Sequence, residues 1–450
     1  MKKNIIIPFV LFTVCLSFMN FTNTPSDETL VKELNANGLK IIFKPSTKDI
    51  ISARLFIRGG TANYSKEQEG VENLALSMIA EGGTKTLDMA AFGQALDNIG
   101  ANIGASSDYD FSEISLSCIK TYWNESWDLF ADAITNPRFD EKAFEVIKGK
   151  LVSGAKEQES DPDAYLKNKS LEIAFAGKNY SKIPFGTLKT IEALSLADVQ
   201  SHYQNVVNKN NVFLVVAGNI SEADLIEKVS ATVAKLNAGK TATAEDRPVI
   251  QAGANIENRD IATNYIKGSM SVPSIKDKDA VAMRLAMSMM GDHFFVELRT
   301  KRSLTYAPAA YYTGTMVNSP QAVFYASSTD PKQALQVMIN EINTIKNQGF
   351  TEKELKDKKE KFLTGHYSNL ETNGAQTYTL GVAEIAGSWR INESFMTDVE
   401  KTTIKDVNAA FKKYSNSINW MYLGKESAVS MEDFKQPQIL PSESKISTKQ

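Results

Sequence analysis

Alternation comes first. Ile114, Leu116 and Cys118 are interleaved with Ser115 and Ser117, the two-residue period of a strand with one buried face. Residues 39–43 and 53–57 are short runs dominated by Ile, Leu and Phe, and they read as neighbouring strands. Helices are expected over residues 71–81, 88–99 (stopped by Gly100), 126–135 and 140–159, the last ended by Asp161-Pro162. Later in the chain the same scheme predicts helices over residues 281–298, 331–347 and 351–371. Strands gathered in hairpins, with helices grouped between them, indicate an α+β layer rather than a strict βαβ repeat.

The later elements are a second edition of the earlier ones. Leu74-Ala75-Leu76-Ser77-Met78-Ile79 returns as Leu285-Ala286-Met287-Ser288-Met289-Met290. Ser195-Leu196-Ala197-Asp198-Val199 returns as Thr403-Ile404-Lys405-Asp406-Val407, each with a hydroxyl and a carboxylate three apart, the signature of a capped helix start. Asn210 to Gly218 is matched by Asn416 to Gly424. Three pairs in one order, at nearly one spacing, imply two homologous α/β-layer domains. The expected boundaries are 24–240 and 258–436, with a linker at 241–257 and a flexible tail at 437–450.

Residues 1–23 stand apart. Lys2 and Lys3 precede an apolar run from Ile5 to Met19 and then polar residues, the layout of a secretory signal. The expectation is an exported protein, periplasmic or extracellular. A lipid anchor at Cys15 is the rival, disfavoured by Val14 and the apolar residues that follow. Without the signal only Cys118 remains, so no internal disulfide can form. No later run reaches the ~18 apolar residues of a spanning helix, so no membrane span is expected. Lys+Arg 50 against Asp+Glu 53 gives a net charge of −3, which argues against nucleic acid as a partner.

Gly70-Val71-Glu72-Asn73-Leu74-Ala75-Leu76-Ser77-Met78 followed by Gly82-Gly83-Thr84 resembles the first helix of the pitrilysin/insulinase-type metallopeptidases, which include the mitochondrial processing peptidases. Asn136-Pro137, Phe185-Gly186-Thr187 and Leu196-Ala197-Asp198-Val199 extend the resemblance in order along the chain. It implies two similar α+β domains forming half of a clam-shell chamber. Active members carry H-x-x-E-H on that helix and a further glutamate ligand. Two histidines one turn apart bind Zn²⁺, and the glutamate between them is the general base for the metal-bound water.

In this chain the two histidine positions hold Asn73 and Ser77, the base position holds Leu76, and the remaining ligand position falls on Gly154. The three histidines, His202, His293 and His366, all lie elsewhere and read as satisfied or solvated. The chain itself is therefore expected to hold no metal. Further on, Phe294 to Tyr306 resembles the segment in which the family places an Arg and a Tyr seven apart, here Arg299 and Tyr306. In the family this pair reaches substrate beside the zinc of the opposite domain. Ser303 stands where many relatives have glycine, and the glycine-rich loop of the non-catalytic processing-peptidase subunit is absent. Residues 101–106 correspond to a strand that can pair with extended substrate, or to a plain edge strand. The charged run 356–361 reads as a solvated helix face.

The resemblance thus implies a zinc-less subunit of a secreted heterodimeric metallopeptidase. Its expected partners are a homologous H-x-x-E-H-bearing chain that holds the Zn²⁺, and a peptide or unfolded polypeptide substrate. The alternative is a structural or peptide-binding member of the family with no peptidase role.

Overall fold

The computed structural model describes residues 30–314 and 316–435. The expected signal at 1–23 and tail at 437–450 lie outside the described residues.

The first half runs β1 (Lys32–Ala36), β2 (Leu39–Pro45), β3 (Ile50–Arg58), α1 (Val71–Glu81), α2 (Met89–Ile99), β4 (Asn102–Ser107) and β5 (Phe111–Ile119). It continues through α3 (Trp123–Thr135), α4 (Glu141–Ser160), α5 (Pro162–Ala174), α6 (Leu188–Ala193), α7 (Leu196–Val206), β6 (Val212–Gly218) and α8 (Glu222–Ala231). The second half runs β7 (Gly253–Asn258), β8 (Asn264–Ser271), α9 (Ala280–Phe294), β9 (Ala309–Tyr312), β10 (Gln321–Ser328) and α10 (Pro331–Gln348). It ends with α11 (Glu352–Asn369), α12 (Asn373–Ala386), α13 (Ile391–Lys401), α14 (Ile404–Tyr414) and β11 (Asn419–Gly424).

The sheets are ordered β1-β2-β6-β3-β5-β4 and β7-β11-β8-β10-β9. Apart from the extra β1, the second order repeats the first. In each, the last strand of the half runs parallel to the first shared strand and antiparallel to the next. The helix starts repeat too: Ser195 with Asp198, and Thr403 with Asp406, form reciprocal capping boxes. The duplication is real.

Two expectations need correction. Strands β2 and β3 are not neighbours, because β6 lies between them. Every residue of β6 is buried, so a central place with both faces covered is the one that fits its continuous apolar run. Residues 253–257, expected in the linker, belong with Asn258 to β7, whose ladder with β11 supplies the partners their backbone groups require.

Each sheet packs one face on its own helices. Leu55, Leu214 and Leu116 meet Trp127, Phe130 and Ile79 in the first core, and Phe324, Met287 and Phe411 share the second. The other face of each sheet is covered by a helix from the opposite half. Helix α12 lies on β3 and β6, where Leu380 joins Phe56, Phe111 and Phe213. Helix α5 lies on β8 and β11, where Leu166 joins Met421 and Leu423. This exchange is what makes the two halves one body. Gly381 allows it: a Cβ there would fall 2.0 Å from the Phe56 ring.

A polar device is repeated under both exchanged helices. Arg54 of β3 pairs with Val215 of β6, and Lys267 of β8 pairs with Met421 of β11 at the matching register. Arg54 donates to Thr377 of α12 at 3.1 Å and is neutralised by Glu113. Lys267 donates to Ser170 of α5. Val323 occupies the register position of Glu113 in the second sheet, so no carboxylate answers Lys267 there. Burial pushes its ammonium down to about 7.

Candidate functional site

Helix α1 starts at Gly70, which is left-handed at φ +88°; a Cβ would lie 2.9 Å from the Gly186 Cα. Val71, Leu74, Ala75 and Met78 face Phe144 and Ile147 of α4 and Val199 of α7. Leu76 and Ile79 face the sheet core. Leu76, at the general-base position, is thus a core residue with 1% of its surface exposed. Asn73 is buried and Ser77 half-buried, four apart and so on one side of the helix. Helix α4 packs against α1, and the Lys150–Glu81 pair, 2.6 Å long, ties the two one turn from Gly154 and Ser77. A Cβ at Gly154 would meet nothing within 4 Å. The frame of a metal site is present in α1 and α4, but an amide, a hydrocarbon, a hydroxyl and a hydrogen atom do not make a zinc site. The residues do not fit the metal. Among the described residues no other cluster of His, Cys, Asp or Glu is arranged to hold one.

Beside Asn73 sits a residue that sequence reasoning missed. Glu72 is fully buried, accepts from Asn63 Nδ2 at 2.9 Å and from the Ser112 hydroxyl, and meets His202 Nε2 at 2.9 Å. Tyr64 stacks edge-on against His202, and burial first, then the Glu72 charge, pushes its phenol well above the ordinary range. This knot fastens the start of α1 to β5 and α7. Glu72 and His202 lie 130 residues apart in the chain, so no local pattern announces the knot.

In the second half the expected helix 281–298 is α-helical only as far as Phe294. Residues Phe295–Thr300 widen into a π-helical turn, and Lys301 N donates to Val296 O at 2.9 Å, an i→i+5 bond. The chain then doubles back through Ser303, left-handed at φ +53°, with Leu304 N donating to Leu298 O at 2.8 Å. This reversal brings together the two residues singled out in sequence. The Arg299 guanidinium sits over the Tyr306 ring at 4.4 Å and over Phe295 at 5.0 Å. Glu297 is taken by Lys301 and Arg302, both at 2.6 Å, which leaves Arg299 without a carboxylate partner among the described residues. Tyr306 is 80% exposed. A forked cation beside a free phenol can hold a peptide carbonyl or carboxylate.

The remaining expectations divide. Residues 102–107 form β4, the edge of the first sheet, with α1 packed on it. His202 is satisfied by Glu72. His293 is held between Glu341 and Glu354, both at 2.7 Å, and the Glu341 hydrogen bond leads in raising its pKa. His366 packs on Phe395, and burial lowers its pKa. The run 356–361 is not wholly solvated. Lys358 lies on the same helix face as the buried Leu355, three residues earlier, so it is turned inward, where it pairs with Asp292 at 2.5 Å.

Comparison with known proteins gives two adjacent family profiles: insulinase (peptidase family M16) over residues 40–187, and peptidase M16 inactive domain over residues 193–362. The chain is 22% identical over 376 residues to the non-peptidase homolog YmxG of Helicobacter pylori, spanning 80% of this chain and 85% of that one. It is 20% identical over 380 residues to the uncharacterized zinc protease YmxG of Bacillus subtilis, spanning 83% and 92%. Its fold matches the crystal structure of a peptidase M16 inactive domain from Pseudomonas fluorescens with a TM-score of 0.81 at 20% identity, over 88% of this chain and 98% of that one.

Proposed function

The chain belongs to the insulinase family, peptidase family M16, as an inactive member, and from that premise we propose that it is the zinc-less subunit of a two-chain peptidase. The observation that carries this reading is a division within one molecule. The metal positions Asn73, Leu76, Ser77 and Gly154 have lost their chemistry, whereas Arg299, half-buried, is stacked on Tyr306, which is open to solvent. A homologous chain bearing H-x-x-E-H would hold the zinc and carry out hydrolysis. This chain would close half of the chamber and offer Arg299 and Tyr306 to a peptide or unfolded segment lying at that partner's site. Export, to the periplasm or beyond, is part of the same proposal and rests on residues 1–23.

The family's inactive-domain profile supports pairing, and the exposure of the Arg299–Tyr306 stack supports an unfilled contact. No described helix is long and apolar enough to cross a membrane. The test is reconstitution with an H-x-x-E-H-bearing relative from the same source. The expected result is a one-to-one complex that turns over peptides, with this chain alone inert. A stable monomer that leaves the partner's activity unchanged would overturn the proposal.

A further inference from the structure

The duplication gives the lost metal site a counterpart in the second half. Aligning Leu74-Ala75-Leu76-Ser77 with Leu285-Ala286-Met287-Ser288 sets Arg284 where α1 has Asn73, and Ser288 where it has Ser77. The surroundings correspond as well: α9 packs on β9 and α11, as α1 packs on β4 and α4. Arg284 and Ser288, one turn apart, line a cavity of about 560 Å³ that Tyr312, Phe362, Thr379 and Asn392 help to close.

Arg284 is unusually placed for an arginine. Its guanidinium carbon lies 4.7 Å from the Phe395 ring centroid and 5.4 Å from that of Phe362. Among the described residues it has no carboxylate within ion-pair distance, and burial lowers its pKa. Rings that cover the faces of a guanidinium satisfy its charge in part but none of its N–H donors, which point outward in the plane. Arg284 is half-buried, so those donors are open to an acceptor lying in that plane. Lys358, the other cation on the cavity wall, is paired with Asp292, the one carboxylate on that wall, so the two cancel. The cavity therefore offers one unanswered positive charge, a hydroxyl from Ser288, and an apolar remainder from Ile275, Phe362 and Val382. We propose that it binds a small organic carboxylate with an apolar body, its two oxygens taken by the edge of Arg284. The site stands on this chain's own residues and requires neither a partner subunit nor the Arg299–Tyr306 pair.

Benzoate is a suitable probe, with the isosteric neutral benzamide and inorganic phosphate as comparisons, all at fixed ionic strength with the full chain. Benzoate should raise the melting temperature saturably and shift the Nε–H resonance of Arg284, while benzamide does neither. Arg284→Gln should abolish the rise in melting temperature. Arg284→Lys, which keeps the charge but loses the fork, should weaken binding by about tenfold. If Arg284→Gln does not fold, the Lys variant and the wild-type resonance decide. No saturation by benzoate up to its solubility limit, equal response to benzamide, or saturation by phosphate alone would overturn the proposal. So would undiminished binding in Arg284→Lys.

Discussion

The guanidinium of Arg299 rests over the ring of Tyr306 at 4.4 Å, across a reversal that includes a π-helical turn and the left-handed Ser303. The stack orders a long side chain that would otherwise wander at the surface, so the fork is held ready before any peptide arrives. In the reconstituted pair, Arg299→Ala should lower kcat/KM by the loss of one charge-assisted contact, roughly 1.5–3 kcal/mol. Tyr306→Phe keeps the ring under Arg299 and removes one donor, and should lower kcat by about 10²-fold if that donor meets the developing oxyanion. Asn73→Ala and Ser77→Ala should change neither. Turnover of Arg299→Ala and Tyr306→Phe within about twofold of the parent, with assembly intact, would make this subunit a wall only.

Gly381 lets α12 sit against β3. Gly381→Ala would place a methyl 2.0 Å from the Phe56 ring, which is itself held by Phe213 at 5.1 Å. Overpacking of this kind costs roughly 1–3 kcal/mol. Thermal unfolding should show the loss, and adding Phe56→Leu should recover part of it. A Gly381→Ala chain as stable as the parent would mean that the two halves can slide apart without penalty.

Lys267 gives stability a pH dependence. Its folded value of about 7 lies below the ordinary 10.5, because burial penalises the charged form and Lys167 adds to that. Between these values the unfolded chain binds more protons, so stability should rise with pH, by at most about 1.4 kcal/mol per unit. Below about 7 the full cost remains. Lys267→Met should raise the melting temperature at neutral pH and flatten that rise. Denaturant titrations of both chains across this window check it.

His293 works in the opposite sense. The Glu341 hydrogen bond, followed by that of Glu354, raises its pKa above 6.5 against the effect of burial. The stability it gives by joining α9 to α10 and α11 is complete below 6.5 and lost as pH climbs through the raised folded value. His293→Gln should therefore cost about 1 kcal/mol near pH 6 and much less at alkaline pH. An equal cost at both would assign the residue a packing role instead.

Local signals settled most of the secondary structure. Capping boxes at Ser195 and Thr403 and the proline after Asp161 mark element ends because they act within a few residues of the backbone they cap. The duplication was legible because the two halves retain aligned landmarks, and the loss of zinc chemistry because a ligand is a residue type at a spacing. Long-range choices were not legible. The insertion of β6 between β2 and β3 depends on which strand gains most from burial on both faces. The inward turn of Lys358 depends on Asp292 across an interface, and the burial of Glu72 on Ser112 and His202. Sequence named Arg299 and Tyr306 as a pair, but only the tertiary structure decided that they touch. That contact depends on the backbone path between them, where a widened helical turn and one left-handed serine reverse the chain.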